Sequence, residues 1–252
     1  MAASPQAPAR VPGARVPALD IARSFALLAM AIYHVVFDLE MFGYLPAGTA
    51  LNGGWRVLAW LTASSFLALA GMSLWLAHGA GIRWSPALSR IAKVALAALA
   101  VTGATYLAVP DAFVFFGILH AIAAFSLIGL FLLRVPAVGL LALAALVILI
   151  PRVVESDIFH SPFLWWLGLH AARVPSVDFI PLFPWMAPFL IGMAAAKIGT
   201  SRGLWAALAD PSPGPWQRRL GWPGRHSLMI YLIHQPILIT LIGGVSWLSG
   251  RM

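Results

Sequence analysis

The sequence predicts an all-α membrane protein, a polytopic transmembrane helix bundle of about seven spans with its N-terminus in the cytoplasm. Hydrophobic residues make up 61% of the 252 residues and charged residues only 10%, whereas a soluble domain carries about 25% charged residues. The apolar residues fall into runs of about 20, the length that crosses roughly 30 Å of hydrocarbon. Lipid is therefore the expected solvent of this chain.

Seven apolar runs follow a short N-terminal arm. Residues 1–18 are rich in Pro and Ala and are predicted to form a disordered cytoplasmic arm, which leaves 19–248 as the transmembrane domain. The stretch 160–172 is too short to span and holds two Trp residues, so it is expected at the membrane interface. The predicted spans lie at 19–41, 55–79, 88–108, 112–133, 135–151, 182–200 and 226–248.

The distribution of basic residues sets the expected orientation. With the N-terminus in the cytoplasm, eleven Lys and Arg residues lie on the inner side of the bundle and four on the outer side. This asymmetry follows the positive-inside rule and places the C-terminus outside. The net charge of +8 is explained by these basic inner loops, so nucleic-acid binding is not expected.

Several kinds of catalytic site are excluded by the residues that are missing. The chain has no cysteine, which rules out disulfides, thiolate metal sites and an acyl-cysteine intermediate. Gly-rich phosphate loops, the GxSxG elbow and HExxH are also absent from the sequence. Three intramembrane histidines could in principle bind haem or a metal, but there is no CxxCH and no His pair at i, i+4, so no metal is predicted.

The first span carries two pairs of ionisable residues. A charge at mid-membrane costs at least about 2.5–3.5 kcal/mol, so such residues need partners or a wet cavity. Asp20 and Arg23 lie three residues apart and can pair, either as a structural ion pair or at a binding site. His34 lies roughly 16 Å further along the helix, with Asp38 four residues later on the same face. An imidazole beside a carboxylate can act as a general base; a hydrogen bond from His34 to a neighbouring helix is the alternative.

Polar residues recur in three later spans. His120 lies in the fourth span, while Ser227, Tyr231 and His234 recur at i, i+4 and i+7 in the seventh and form one helix stripe. Polar contacts between helices would explain the stripe equally well. Trp185 lies among three prolines at the outer entry of the sixth span, where it either shapes a cavity mouth or anchors the chain at the interface. The candidate catalytic residues are His34 and Asp38, and the candidate substrate-binding residues are Asp20, Arg23, His120, Trp185, Ser227, Tyr231 and His234.

Four motifs together carry a family resemblance. The first span has Asp-x-x-Arg, then His eleven residues after the Arg, then Asp four further on. FGILH follows in the fourth span, DFIPLFPW before the sixth, and GRHSLMIYLIHQP in the last. Over roughly residues 15–245, the chain resembles the bacterial branch of the heparan-α-glucosaminide N-acetyltransferase catalytic-domain family, within the transmembrane acyltransferase superfamily. His34 matches the superfamily's first-span histidine.

The resemblance implies a membrane-embedded acyltransferase in a bacterial inner membrane. Its co-substrate would be acetyl-CoA or another acyl-CoA, bound from the cytoplasm. Its acceptor would be an amine or hydroxyl of a sugar, an envelope glycan or another small molecule. The residues are consistent with transfer from acyl-CoA, because Arg and Lys on the inner side bind phosphate well. A His with a carboxylate can also deprotonate the acceptor.

Two other classes of function stay open at this point. A proton-coupled transporter or exporter could use the same His and Asp residues as a relay, although no Gly/Pro-interrupted half-repeats are visible. The second of these classes is a structural membrane subunit without catalytic activity. The oligomeric state is equally open, with a homo-oligomer among the alternatives.

Overall fold

The computed structural model describes residues 16–154, 156–170 and 174–250. Residues 1–15 of the predicted arm lie outside the described residues. The described residues form helices and connecting segments without a β-strand, which confirms the all-α class. The helices are α1 Pro17–Met41, α2 Gly53–His78, α3 Trp84–Ala108, α4 Ile118–Leu132, α5 Ala137–Leu149, α6 Leu182–Ser201, α7 Leu204–Leu208, α8 Pro215–Leu220, α9 Trp222–Arg225 and α10 Ser227–Leu248.

Five of the predicted spans are confirmed as helices long and apolar enough to cross a membrane: α1, α2, α3, α6 and α10. Large apolar side chains stay exposed on their outer surfaces, such as Leu107 of α3 at 85% and Leu96 at 67%. That exposure is expected of helices that face lipid, because their backbone polar groups are already bonded within the helix. The cytoplasmic position of the N-terminus stays a prediction from the basic residues.

The fourth and fifth helices are shorter than predicted. α4 has 15 residues and α5 has 13, which cover roughly 20–22 Å at 1.5 Å per residue. The stretch before α4 is extended instead, and its Phe116 forms an isolated parallel β-bridge with Phe179. α5 begins after its N-cap Pro136 and ends at Leu149, where a 3-10 turn, Ile150–Arg152, follows. Seven spans are therefore not confirmed.

The core of the bundle lies around α6, which packs against α2, α4 and α5. α2 and α6 approach closely: a Cβ at Gly71 would collide with the Phe189 carbonyl, and a Cβ at Gly192 would collide with the Ala68 carbonyl. Small residues at such a crossing let two helix backbones touch. Phe125 of α4 packs on Phe189 with ring centroids 6.1 Å apart, and both side chains are fully buried.

α1 lies outside this core and packs against α2, α9 and α10. α10 in turn packs on α1 and, with fewer contacts, on α3. The interface between α1 and α10 brings polar residues of the two ends of the sequence together. The stretch 160–172 contains a short 3-10 segment, Pro162–Leu167, as expected of a segment too short to span.

Candidate functional site

His34 of α1 and His234 of α10 lie against each other, with ring centroids 4.8 Å apart and ring planes at 79°. His34 Nδ1 lies 2.9 Å from the Met30 carbonyl oxygen, and His234 Nδ1 lies 2.6 Å from the Tyr231 carbonyl oxygen. A carbonyl can only accept, so each Nδ1 carries the hydrogen. In the neutral rings each Nε2 therefore keeps its lone pair and can accept a proton.

No hydrogen bond or ion pair joins Asp38 to His34 among the described residues, although their spacing permits one. Asp38 is fully buried, and its Oδ1 accepts a hydrogen bond from Gln235 Nε2 at 2.6 Å. The i, i+4 spacing permits a His–Asp contact, but the Met30 carbonyl, one turn earlier, takes the His34 Nδ1 hydrogen. The Oδ1 atom of this carboxyl is bonded to α10 instead.

A cavity of about 560 Å³ opens beside His34. It lies at the end of the bundle that is predicted to face outward, and we call it the outer cavity. Its wall mixes aromatic rings with hydrogen-bonding groups and includes both Trp185 and Tyr231. The residues that matter for its chemistry are Tyr33, His34, Asn52, Arg56, Trp60, Asp178, Trp185 and Tyr231.

Asp178 is a residue of this wall that the sequence did not single out. Its Oδ2 accepts a hydrogen bond from the backbone N–H of Ile118, the first residue of α4, at 2.9 Å. The Tyr231 hydroxyl also donates to this carboxyl, and burial raises the pKa of Asp178 to about 6. A Cβ at Gly117 would collide with the Asp178 carboxyl. The loop before α6 thus places the Asp178 carboxyl between the first residue of α4 and Tyr231 of α10.

The rim of the outer cavity is held by Glu40, near the end of α1. Its Oε1 accepts from Gly48 N–H at 2.5 Å and its Oε2 from Ala50 N–H at 2.7 Å. These bonds fix the loop between α1 and α2, which contributes Asn52 to the wall. Arg56, one turn further on, lies over the Trp60 ring at 4.8 Å.

A second cavity of about 530 Å³ lies at the opposite end of the bundle, and we call it the inner cavity. Arg23 donates to Asp20 at 2.7 Å, which confirms the predicted contact, and its second terminal nitrogen donates to Ser73 Oγ. Three guanidinium groups, those of Arg23, Arg90 and Arg225, line this cavity, and Ser227 lies beside them. The inner cavity is therefore strongly basic.

His120 lies outside both cavities. Its Nδ1 accepts from Gly117 N–H at 3.3 Å, and its Nε2 donates to Thr102 Oγ1 at 3.2 Å. Both ring nitrogens are thus used to hold the start of α4 against α3. The geometry gives His120 a structural contact and does not support the substrate-binding role expected from the sequence.

The predicted stripe on α10 is divided among three places. Ser227 faces the inner cavity, Tyr231 the outer cavity, and His234 contacts His34. Within the described part of the chain, no group of three or more His, Cys, Asp or Glu side chains could hold a metal ion.

The family described as heparan-alpha-glucosaminide N-acetyltransferase, catalytic, matches residues 15–236, a range that includes both cavities and both histidines. No curated protein matches the chain, and no solved structure does.

Proposed function

The chain belongs to the family of heparan-α-glucosaminide N-acetyltransferase catalytic domains, and we propose that it moves an acetyl or other acyl group from cytoplasmic acyl-CoA to an acceptor in the outer cavity. One observation carries the proposal: the His34–His234 pair lies between a basic cavity at one end of the bundle and an aromatic, polar cavity at the other. The proposal places the protein in a bacterial inner membrane with the inner cavity facing the cytoplasm.

The inner cavity suits a polyphosphorylated donor. A guanidinium binds phosphate oxygens through two parallel hydrogen bonds, and Arg23, Arg90 and Arg225 all line this cavity. Asp20 and Ser73 hold Arg23 in place. The pantetheine chain of acyl-CoA would then run along α1 from Arg23 toward His34. That distance is roughly 16 Å at 1.5 Å per residue.

The outer cavity suits a sugar-sized acceptor. Trp60 and Trp185 offer flat apolar faces, while Asn52, Arg56 and Asp178 offer hydrogen bonds and charge. Pockets for small ligands combine an apolar lining with a few placed polar groups in this way. An amine or hydroxyl of a sugar or envelope glycan fits such a wall.

The transfer needs a base, and His34 lines the acceptor's cavity. The acceptor nitrogen or oxygen bonds to the thioester carbonyl carbon, its proton passes to His34 Nε2, and the C–S bond breaks with its electrons going to sulfur. His34 Nδ1–H bonded to Met30 holds the ring in the tautomer that this step requires. A direct transfer needs no acyl-enzyme intermediate.

The proposal is tested by the release of CoA from acetyl-CoA by the purified protein in lipid nanodiscs, with glucosamine as the acceptor probe. His34→Ala is expected to bind acetyl-CoA and to lose turnover by roughly 100–10,000-fold, the range of general-base catalysis. His120→Gln is the matched control, because this histidine lies outside both cavities, and it should keep turnover.

Two results would overturn the proposal. A folded His34→Ala protein with normal turnover removes the catalytic assignment. Proton flux across liposomes that requires His34, without CoA release from any of several amine and hydroxyl acceptors, supports a proton-coupled transporter instead.

A further inference from the structure

A third cavity, of about 580 Å³, lies on α8 and α9, and we call it the α8–α9 cavity. It lies at the same end of the bundle as the inner cavity, because Arg225 lines both. In the described part of the chain, no carboxylate lies within salt-bridge distance of its three arginines, so their positive charge is left for an anion from outside the chain. The lining residues are Pro215, Arg218, Arg219, Trp222, Pro223 and Arg225.

Contacts within the α8–α9 cavity hold two of its guanidinium groups. Arg225 Nη2 donates to the Arg218 backbone carbonyl at 2.9 Å, which ties α9 to α8. The Arg219 guanidinium lies over the Trp216 ring, 5.9 Å from its centroid. A guanidinium binds a phosphate through two parallel hydrogen bonds, and one that is already held loses less conformational freedom when it does so.

α9 lies at the level where two long apolar helices begin. α9 ends at Arg225 and α10 begins at Ser227. On its other side, the Gly224 N–H of α9 donates to Ser24 Oγ near the start of α1 at 2.8 Å, and a Cβ at Gly224 would collide with the Asp20 carbonyl. Both α1 and α10 are long and apolar enough to cross a membrane. The α8–α9 cavity is therefore expected at the membrane surface, at the depth of the lipid headgroups.

Large apolar side chains beside the arginines also favour lipid. Trp216 is 71% exposed, and Leu220 and Trp222 are each 49% exposed. Indole rings are favoured at the boundary between headgroups and hydrocarbon, where one edge meets water and the rest meets acyl chains. Basic residues beside such apolar side chains attract anionic lipids. The combination favours a lipid headgroup over a soluble anion.

We propose that the α8–α9 cavity binds the phosphate headgroup of an anionic phospholipid, with Arg218 and Arg219 on the phosphate and Trp222 against the start of the acyl chains. The inference does not rest on the proposed acyl transfer, because Arg218 and Arg219 line neither the inner nor the outer cavity. The bound lipid stabilises the folded protein, since a ligand that binds only the folded state adds to its stability.

The first test measures lipid binding by native mass spectrometry of the full chain, released from nanodiscs that mix phosphatidylglycerol with phosphatidylcholine. The parent protein should retain phosphatidylglycerol in preference to phosphatidylcholine. Arg218→Gln/Arg219→Gln should weaken this preference about 25-fold, at about fivefold for each charge near a membrane surface, and added salt should weaken it as well. Arg134→Gln/Arg202→Gln is the matched control, because it removes two exposed arginines that line none of the three cavities, and it should keep the preference.

The second test is thermal stability, followed by intrinsic tryptophan fluorescence in nanodiscs with and without phosphatidylglycerol. The anionic lipid should raise the Tm of the parent protein and of Arg134→Gln/Arg202→Gln, and it should not raise the Tm of Arg218→Gln/Arg219→Gln. If that variant does not fold, the single changes Arg218→Gln and Arg219→Gln decide, each with an expected loss of about fivefold.

Three results would overturn the lipid site. The first is equal retention of the two lipids by the parent protein. The second is an equal loss of phosphatidylglycerol in both double variants, which shows attraction by the overall charge. The third assigns the α8–α9 cavity to the nucleotide end of the donor: Arg218→Gln/Arg219→Gln keeps its lipid preference but binds acetyl-CoA more weakly, with unchanged affinity for acetyl-CoA that lacks the 3′-phosphate.

Discussion

Asp178 should make the protein less stable as the pH rises through 6. Burial raises its pKa from 3.8 to about 6, and one pKa unit corresponds to about 1.4 kcal/mol. The ionised carboxylate therefore costs the folded state about 3 kcal/mol relative to the neutral acid, an upper bound because the residue is only half-buried. A carboxyl whose pKa is raised on folding stabilises the fold below its unfolded pKa of 3.8. That contribution is lost as the pH rises through its folded pKa.

Asp178→Asn is expected to remove this pH dependence. The amide oxygen of Asn can still accept from Ile118 N–H, so the start of α4 keeps its partner. Above pH 7 the variant should melt higher than the parent by up to about 10 °C, since 1 kcal/mol shifts Tm by roughly 2–4 °C in a chain of this size. Below pH 4 the two should melt together. Intrinsic tryptophan fluorescence follows unfolding at each pH, and parallel melting profiles for the two proteins from pH 4 to 7 would refute the burial argument.

Two further predictions concern close contacts at the two cavities. Gly117→Ala should destabilise the protein by about 1–3 kcal/mol, as overpacking does, because the new Cβ collides with Asp178. Gly103→Ala, where a Cβ meets nothing within 4 Å, should stabilise the helix slightly, and equal melting temperatures for the two would contradict this. Arg23→Ala should weaken acetyl-CoA binding and leave Asp20 unpaired. The double variant with Asp20→Ala should melt higher than Arg23→Ala alone, as measured by the same fluorescence assay in a double-mutant cycle.

The long helices could be predicted from the sequence because lipid selects for apolar composition over a fixed length. The residue at which α4 begins could not be predicted from the sequence. Residues 113–117 are as apolar as those that follow, and hydropathy does not distinguish an extended apolar stretch from a helical one. Backbone pairing of Phe116 with Phe179, more than 60 residues away, decides the conformation there.

The candidate site could be predicted only as far as single helices allow. The spacing of Asp20 and Arg23 correctly indicated their ion pair. The spacing of His34 and Asp38 also permitted contact. The Asp38 carboxyl instead accepts a hydrogen bond from Gln235 of α10. Spacing shows which residues of one helix can touch, and it does not show which side chain of another helix comes closer.

The shortness of α4 and the polarity of the outer cavity have one physical cause. Irregular backbone inside a membrane protein is tolerated where it is buried in protein or lines a cavity, because its N–H and C=O groups need partners. Here Val177 N–H donates to the Ala112 carbonyl and Ile180 N–H to the Phe116 carbonyl, both at 2.9 Å. The pairing of these two extended stretches delivers Asp178 to the first N–H of α4 and to the Tyr231 hydroxyl. A full-length fourth helix would satisfy its own backbone and would leave no N–H at this point for the Asp178 carboxyl to bind.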